Sequence, residues 1–153
     1  MASSQGLRIG IQVFLGIVII ALGIWLYDSI TAPWAAVEAE RAITAETRAQ
    51  MDKVRLALIR HERKVDNFPS TLDSLIIWVK TDSATVADWD SLFGGYPDSL
   101  YYSPRTGNAF LYSLATDSLG RMEIYLLKDP DSDDYIGSKN PEDITSLNAA
   151  SWQ

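Results

Sequence analysis

The chain has 153 residues, with thirteen Lys and Arg against twenty Asp and Glu, a net charge of −7 and no cysteine. That charge has the wrong sign for a nucleic-acid surface, and the missing thiols exclude disulfides, iron–sulfur clusters, thiolate zinc sites and a cysteine nucleophile. Apart from an apolar N-terminal segment, the length suits one domain with a modest core.

Residues 1–8 are a short polar start. Residues 9–27 follow, reading IGIQVFLGIVIIALGIWLY, without formal charge and with Gln12 as the one strongly polar side chain. At the helical rise this segment spans roughly 28 Å, close to the hydrocarbon thickness of a bilayer, and is predicted to be a transmembrane helix. It exceeds the apolar core of a signal peptide, and cleavage after Ala32 would set Pro33 at the new terminus, so a retained anchor is expected. Trp25 and Tyr27 fall at its end, where amphipathic rings favour the membrane–water interface. Arg8 precedes the segment and Asp28 follows it, which directs the N-terminus to the cytoplasm and the remainder to the outside. Gly16 and Gly23 lie seven residues apart on one helix face, where a neighbouring helix can approach closely. Together with Trp25, Tyr27 and Trp34 they are the candidate contacts to lipid and to other membrane subunits.

Thr31-Ala32-Pro33 is expected to break or kink the chain, Thr31 capping a new helix. That helix should run from about Ala32 to Asp66, through a stalk at 28–50 made largely of Ala and charge and into a domain at 51–138. In its second half Met51, Val54, Leu58, His61 and Val65 recur at three- and four-residue spacing, with Ala57 beside them and Leu56 and Ile59 widening the stripe. Asp28 to Lys80 contains eight acids and eight bases, whereas Thr81 to Gln153 contains twelve acids and four bases, so the acidic excess lies in the second half. The basic run Lys53, Arg55, Arg60, Arg63 and Lys64 either faces an acidic partner or pairs with Asp52, Glu62 and Asp66, the second reading being favoured.

In the stretch HERKVDNFPSTLDSL, Asn67 is expected to end the helix in a left-handed conformation, Pro69 to hold Phe68 extended, and Ser70 with Asp73 to form a capping box. A short helix over 71–80 should bury Leu72, Leu75, Ile76 and Val79. Residues 81–98 read as a loop carrying Trp89, Leu92 and Phe93. Beyond it the period changes to two: strands are predicted at 100–102, 109–114 and 122–127, with Phe110, Tyr112 and Leu114 on one face and Met122, Ile124 and Leu126 on one face. Turns are expected at 104–107 and 117–120. The outcome is an α+β fold: an N-terminal transmembrane helix, a long amphipathic helix, and a small antiparallel sheet packed on its C-terminal half, with 139–153 as a tail.

Leu56-Ala57-Leu58, then Asp66-Asn67-Phe68-Pro69-Ser70-Thr71-Leu72 and Leu75, then Tyr102 to Asn108 with Tyr112, resemble in order and spacing the type IV pilin and pseudopilin superfamily. The resemblance is particularly to the major pseudopilin of type II secretion, over most of residues 50–138. The resemblance implies a pilin-like domain on the outer side of a bacterial inner membrane and a non-catalytic scaffolding role in a secretion or pilus assembly. The N-terminus departs from the family: Gly6-Leu7 is the nearest approach to the leader cleavage site, Arg8 follows, and Ile11 stands where the family has a glutamate. The alternative is an accessory subunit of a stable respiratory or photosynthetic membrane complex.

Asp129, Asp131, Asp133 and Asp134 alternate like the first ligands of a calcium loop. An EF-hand is excluded because Asp134 takes the place of its glycine and Asn140 that of its closing glutamate. Major pseudopilins bind calcium in a C-terminal loop, so the resemblance keeps calcium open beside the reading of a solvated acidic turn. His61, the one histidine, is read as packed or hydrogen-bonded in place. Trp78, Trp89 and Trp152 are read as core, interface or membrane-surface residues. No nucleophile motif, P-loop or dinucleotide fingerprint is present, and no catalytic residue is assigned.

Overall fold

The structure, a computed structural model, describes residues 3–116, 122–138, 140 and 147–153. It is α+β: helix α1 (Ser3–Val65), helices α2 (Leu72–Thr81), α3 (Ser83–Ala87) and α4 (Trp89–Leu92), a 3₁₀ turn (Pro97–Tyr101), and strands β1 (Leu111–Thr116), β2 (Glu123–Lys128) and β3 (Tyr135–Gly137). The strands form one antiparallel sheet in the order β1-β2-β3. The chain divides into two compact units, Met1–Ala42 and Ile43–Gln153.

In the first unit α1 is long and apolar enough to cross a membrane. The expected break at Thr31 to Pro33 is absent, since α1 continues through Pro33. Proline removes one helical hydrogen bond, and the strong helix formers around it hold the rest. Thr31 does not cap a new helix; its hydroxyl donates to the Tyr27 carbonyl one turn back, at 2.8 Å.

In the second unit Met51, Val54, Ala57 and Leu58 are fully buried and share one apolar cluster with Leu75 and Val79 of α2 and with Tyr125, Leu127 and Ile136 of the sheet. Burying each large aliphatic side chain contributes about 1.5–3 kcal/mol. The buried face of α1 begins earlier than the expected boundary at 51. Thr47 is fully buried, its hydroxyl donating to Ile43 O, and the Gln50 amide donates to Ser99 O at 2.6 Å. A hydroxyl satisfied by its own helix backbone can enter a core, which apolar counting misses. At the edges of the stripe Leu56 and Val65 are exposed rather than packed.

α1 ends one residue sooner than expected, with Asp66 rather than Asn67 in the left-handed region at φ 63°. Both residue types tolerate that conformation because a short polar side chain bonds locally. The following turn is fastened from three sides. His61 Nδ1 meets Asn67 O at 2.9 Å, Phe68 N–H donates to Glu123 Oε2 at 2.7 Å, and Tyr112 OH donates to Pro69 O at 2.8 Å. The capping box falls on Thr71 and Ser74 instead of Ser70 and Asp73, and α2 buries Leu72, Leu75, Ile76 and Val79 as expected.

The region expected as a loop is helical. Asp82 ends α2 and caps α3 by accepting from Thr85 N–H at 2.9 Å and Thr85 Oγ1 at 2.6 Å. Trp89 stacks on Phe93, centroids 4.6 Å apart, and its indole N–H donates to Gly95 O. These turns are too short for a helical period to register.

The expected strand at 100–102 is the end of the 3₁₀ turn plus a single bridge, Tyr102 to Ala109. The main core takes the other face of β2 from the one expected: Tyr125 and Leu127 enter the apolar cluster, while of the expected face Ile124 is buried outside that cluster, Met122 is exposed and Leu126 partly so. Ile-Tyr-Leu-Leu is apolar in both phases, so alternation alone does not choose between them. Register chooses, setting Tyr112 opposite Leu127 and Leu114 opposite Tyr125. Tyrosine can fill the core position because its hydroxyl reaches Asn148 Oδ1 at 2.7 Å. The turn at 104–107 forms, and the one expected at 117–120 lies outside the described residues.

Candidate functional site

Two features carry chemistry, one in each unit. In the first, the apolar side chains between Ile9 and Tyr27 are exposed, and so are Trp25, Tyr27 and Trp34. Nothing lies within 4 Å of a Cβ built on Gly16 or Gly23. A surface of this kind has no favourable contact with water and suits lipid or another helix.

In the second unit the acidic turn at 129–134 is tied down through three of its four carboxylates. Arg48 donates from Nε and from Nη2 to the two carboxylate oxygens of Asp134, both at 2.9 Å, and its guanidinium lies 5.2 Å from the Trp152 ring centroid. The Asp134 hydrogen bond raises the Arg48 pKa, against a smaller desolvation effect. Asp129, fully buried, accepts from Ser132 Oγ at 2.7 Å and pairs with Arg105 Nε at 3.5 Å, while Arg105 also reaches Thr44 Oγ1. Asp131 is held by Thr106 Oγ1 and by the Asn108 amide. Asp133 is exposed. Asp129, Asp131 and Asp134 therefore turn to separate partners while Asp133 faces outward, and among the described residues no group of three or more His, Asp or Glu is arranged to hold a metal. What this arrangement does is brace the turn against α1 and against the 104–108 turn, joining residues 86 positions apart.

Of the basic run, Arg55 pairs with Asp52 at 2.9 Å as expected and also reaches Asn148 O. Arg60 and Lys64 pair with Asp88 and Asp82 rather than with Glu62 and Asp66, because α3 and α4 fold back and present those acids. Lys64 holds the Asp82 carboxyl well below its usual range, at about 2, with the Thr85 hydroxyl as the second cause. Asp82 thus contributes stability that is present above pH 4 and lost as the pH falls through about 2. Asp82→Asn should be less stable than the parent at neutral pH, and the gap should close on acidification. Thermal unfolding of both proteins between pH 7 and 2 checks this; a gap independent of pH would assign the effect to packing.

His61 is packed and hydrogen-bonded: its ring lies edge-on to Trp78 with centroids 4.9 Å apart. Trp89 is core, and Trp78 and Trp152 pack against the core from its rim. Burial pushes the Tyr112 and Tyr125 hydroxyls well above their ordinary pKa, so both stay neutral and serve as hydrogen-bond donors. Sequence reasoning missed Arg48, Asp82 and Arg105. Asp82, before Ser83 and three residues ahead of Thr85, was legible as a cap; the partners of the two arginines, brought together by the fold, were not. Comparison with models of known protein families, with curated proteins and with solved structures finds no match.

Proposed function

We propose that the chain is a non-catalytic, single-pass membrane subunit whose extramembrane domain is pilin-like, and that it works as a pseudopilin-related scaffold in a secretion or pilus assembly. The observation that carries this reading is the double use of one helix. α1 supplies an exposed apolar stretch suited to a bilayer, and its last turns supply the buried face of the domain core. The turn after α1, gripped by His61, Glu123 and Tyr112, is one of the stretches that carry the sequence resemblance. Arg8 before the apolar stretch and Asp28 after it support a cytoplasmic N-terminus in a bacterial inner membrane, with the domain outside. The engagement of the lone histidine in packing supports a role without catalysis.

Ile11, in place of the glutamate that registers pilin subunits, favours a second reading: an accessory subunit of a stable membrane complex, contacting its neighbours through Gly16 and Gly23. Purification from native membranes in mild detergent, with intact-mass measurement and identification of co-migrating proteins, separates the two. Loss of Met1 to Gly6 alongside secretion or pilus components supports the scaffold. An unclipped chain in a stoichiometric energy-converting complex supports the accessory subunit, and a monodisperse chain without companions sinks both.

A further inference from the structure

The two edges of the sheet are protected differently. Asp129 N–H donates to Asp134 O at 3.0 Å and Ser138 N–H to Tyr125 O at 3.2 Å, so the odd-numbered residues of β2 turn their backbone groups toward β3. Ile124, Leu126 and Lys128 then turn theirs toward β1, where they sit opposite Ala115, Ser113 and Leu111. By the same alternation Tyr112, Leu114 and Thr116 direct their N–H and C=O groups away from the sheet. The far edge of β3 is covered by the C-terminal segment: Gly137 N–H donates to Ala149 O at 3.0 Å and Ser151 N–H to Tyr135 O at 2.9 Å. Among the described residues the far edge of β1 is covered only ahead of the strand, where Phe110 N–H donates to Tyr101 O at 2.9 Å. Among the described residues no backbone hydrogen bond reaches the outward groups of Tyr112, Leu114 and Thr116.

We propose that this open edge pairs antiparallel with the same edge of a second copy of the chain, about a twofold axis through Leu114. The pairing joins two three-stranded sheets into one of six, an isologous contact. Charge argues for a second copy. The strand, Leu-Tyr-Ser-Leu-Ala-Thr, carries neither charge nor proline, so self-pairing sets no like charges opposite each other. On α2, α4 and the 3₁₀ turn the exposed residues carry charge of both signs, Asp73, Asp90 and the ion pair of Lys80 with Asp98, so those surfaces offer a second copy no neutral contact. In the paired edge Leu114 meets Leu114 and Tyr112 meets Thr116 as hydrogen-bonded pairs. Ser113 faces Ala115 as a non-hydrogen-bonded pair, with Cα atoms about 4.5 Å apart, a separation a disulfide spans.

The chain has no cysteine, which makes the register directly testable. Ser113→Cys and Ala115→Cys, each in the full chain in mild detergent, are oxidised separately and as a mixture. The mixture should give a disulfide-linked pair about tenfold more readily than either variant alone, since only the cross-pair falls within bonding distance. Thr116→Pro removes an outward N–H at an exposed residue and leaves the β1–β2 ladder intact; it should weaken association about tenfold or more, with circular dichroism unchanged. The proposal is overturned by a mixture that cross-links no better than the single variants. Dimers of Thr116→Pro as tight as those of the parent overturn it too, because association through the apolar helix alone gives that result.

Discussion

Gly137→Ala should unfold or nearly unfold the domain. Gly137 sits at φ 96°, and a Cβ there would lie 2.1 Å from the Tyr125 carbonyl oxygen and 3.0 Å from the carbonyl carbon. Both atoms are backbone of the neighbouring strand, so no rotamer change relieves the contact. β3 would have to leave β2, taking with it Ile136, which is fully buried, and the bridge from Ile136 to Ala150. Strain and lost packing together should cost about 3 kcal/mol or more, a large part of the roughly 5–15 kcal/mol that holds a domain folded. Gly107→Ala is the control. Gly107 also has positive φ, at 75°, but nothing lies within 4 Å of its added Cβ, so its cost is about 1 kcal/mol of backbone strain. Urea unfolding of the two variants reads the difference, and equal midpoints would mean that the β2–β3 contact relaxes freely.

Leu15→Arg with Ile19→Arg should abolish stable membrane insertion. Both side chains are exposed near the middle of the apolar stretch, one helical turn apart. On insertion scales each Arg at a helix centre costs about 2.5–3.5 kcal/mol where the native residue is favourable, so the pair costs roughly 6 kcal/mol, about ten-thousand-fold in partitioning. Alkaline extraction of membranes should leave the parent chain in the pellet and release the variant. Phenylalanine at both positions should behave as the parent. An arginine variant that still sediments with membranes would remove the basis for a spanning helix.

Much of the domain was legible in the sequence because it rests on local signals. The α1 stripe at Met51, Val54 and Leu58 and the α2 face at Leu72, Leu75, Ile76 and Val79 are long enough for the helical period to register. What went unread shares one cause: two local solutions of nearly equal energy. Thr71 and Ser70 both cap well, Asp66 and Asn67 both accept a left-handed backbone, and β2 is apolar in either phase. A tertiary contact breaks the tie in β2, where Tyr125 finds Asn148 for its hydroxyl, while the cap is settled locally between Thr71 and Ser74.

β3 was missed because three residues ending in glycine carry no strand signal, and its place is set by pairing with Leu126, Leu127 and Lys128. The acidic turn shows the same division. Its four aspartates are plain in the sequence and read there as a metal loop or a solvated turn, whereas Arg48 and Arg105 reach Asp134 and Asp129 only once the chain has folded.

By itself the sequence determined the apolar N-terminal segment, the amphipathic α1, the α2 face and the α+β class, since each depends on the spacing of residue types along a few turns. Only the tertiary structure decided the inward face of β2, the engagement of the acidic turn and the open edge of β1. Those depend on strand register and on charges far apart in the chain, and neither leaves a local pattern.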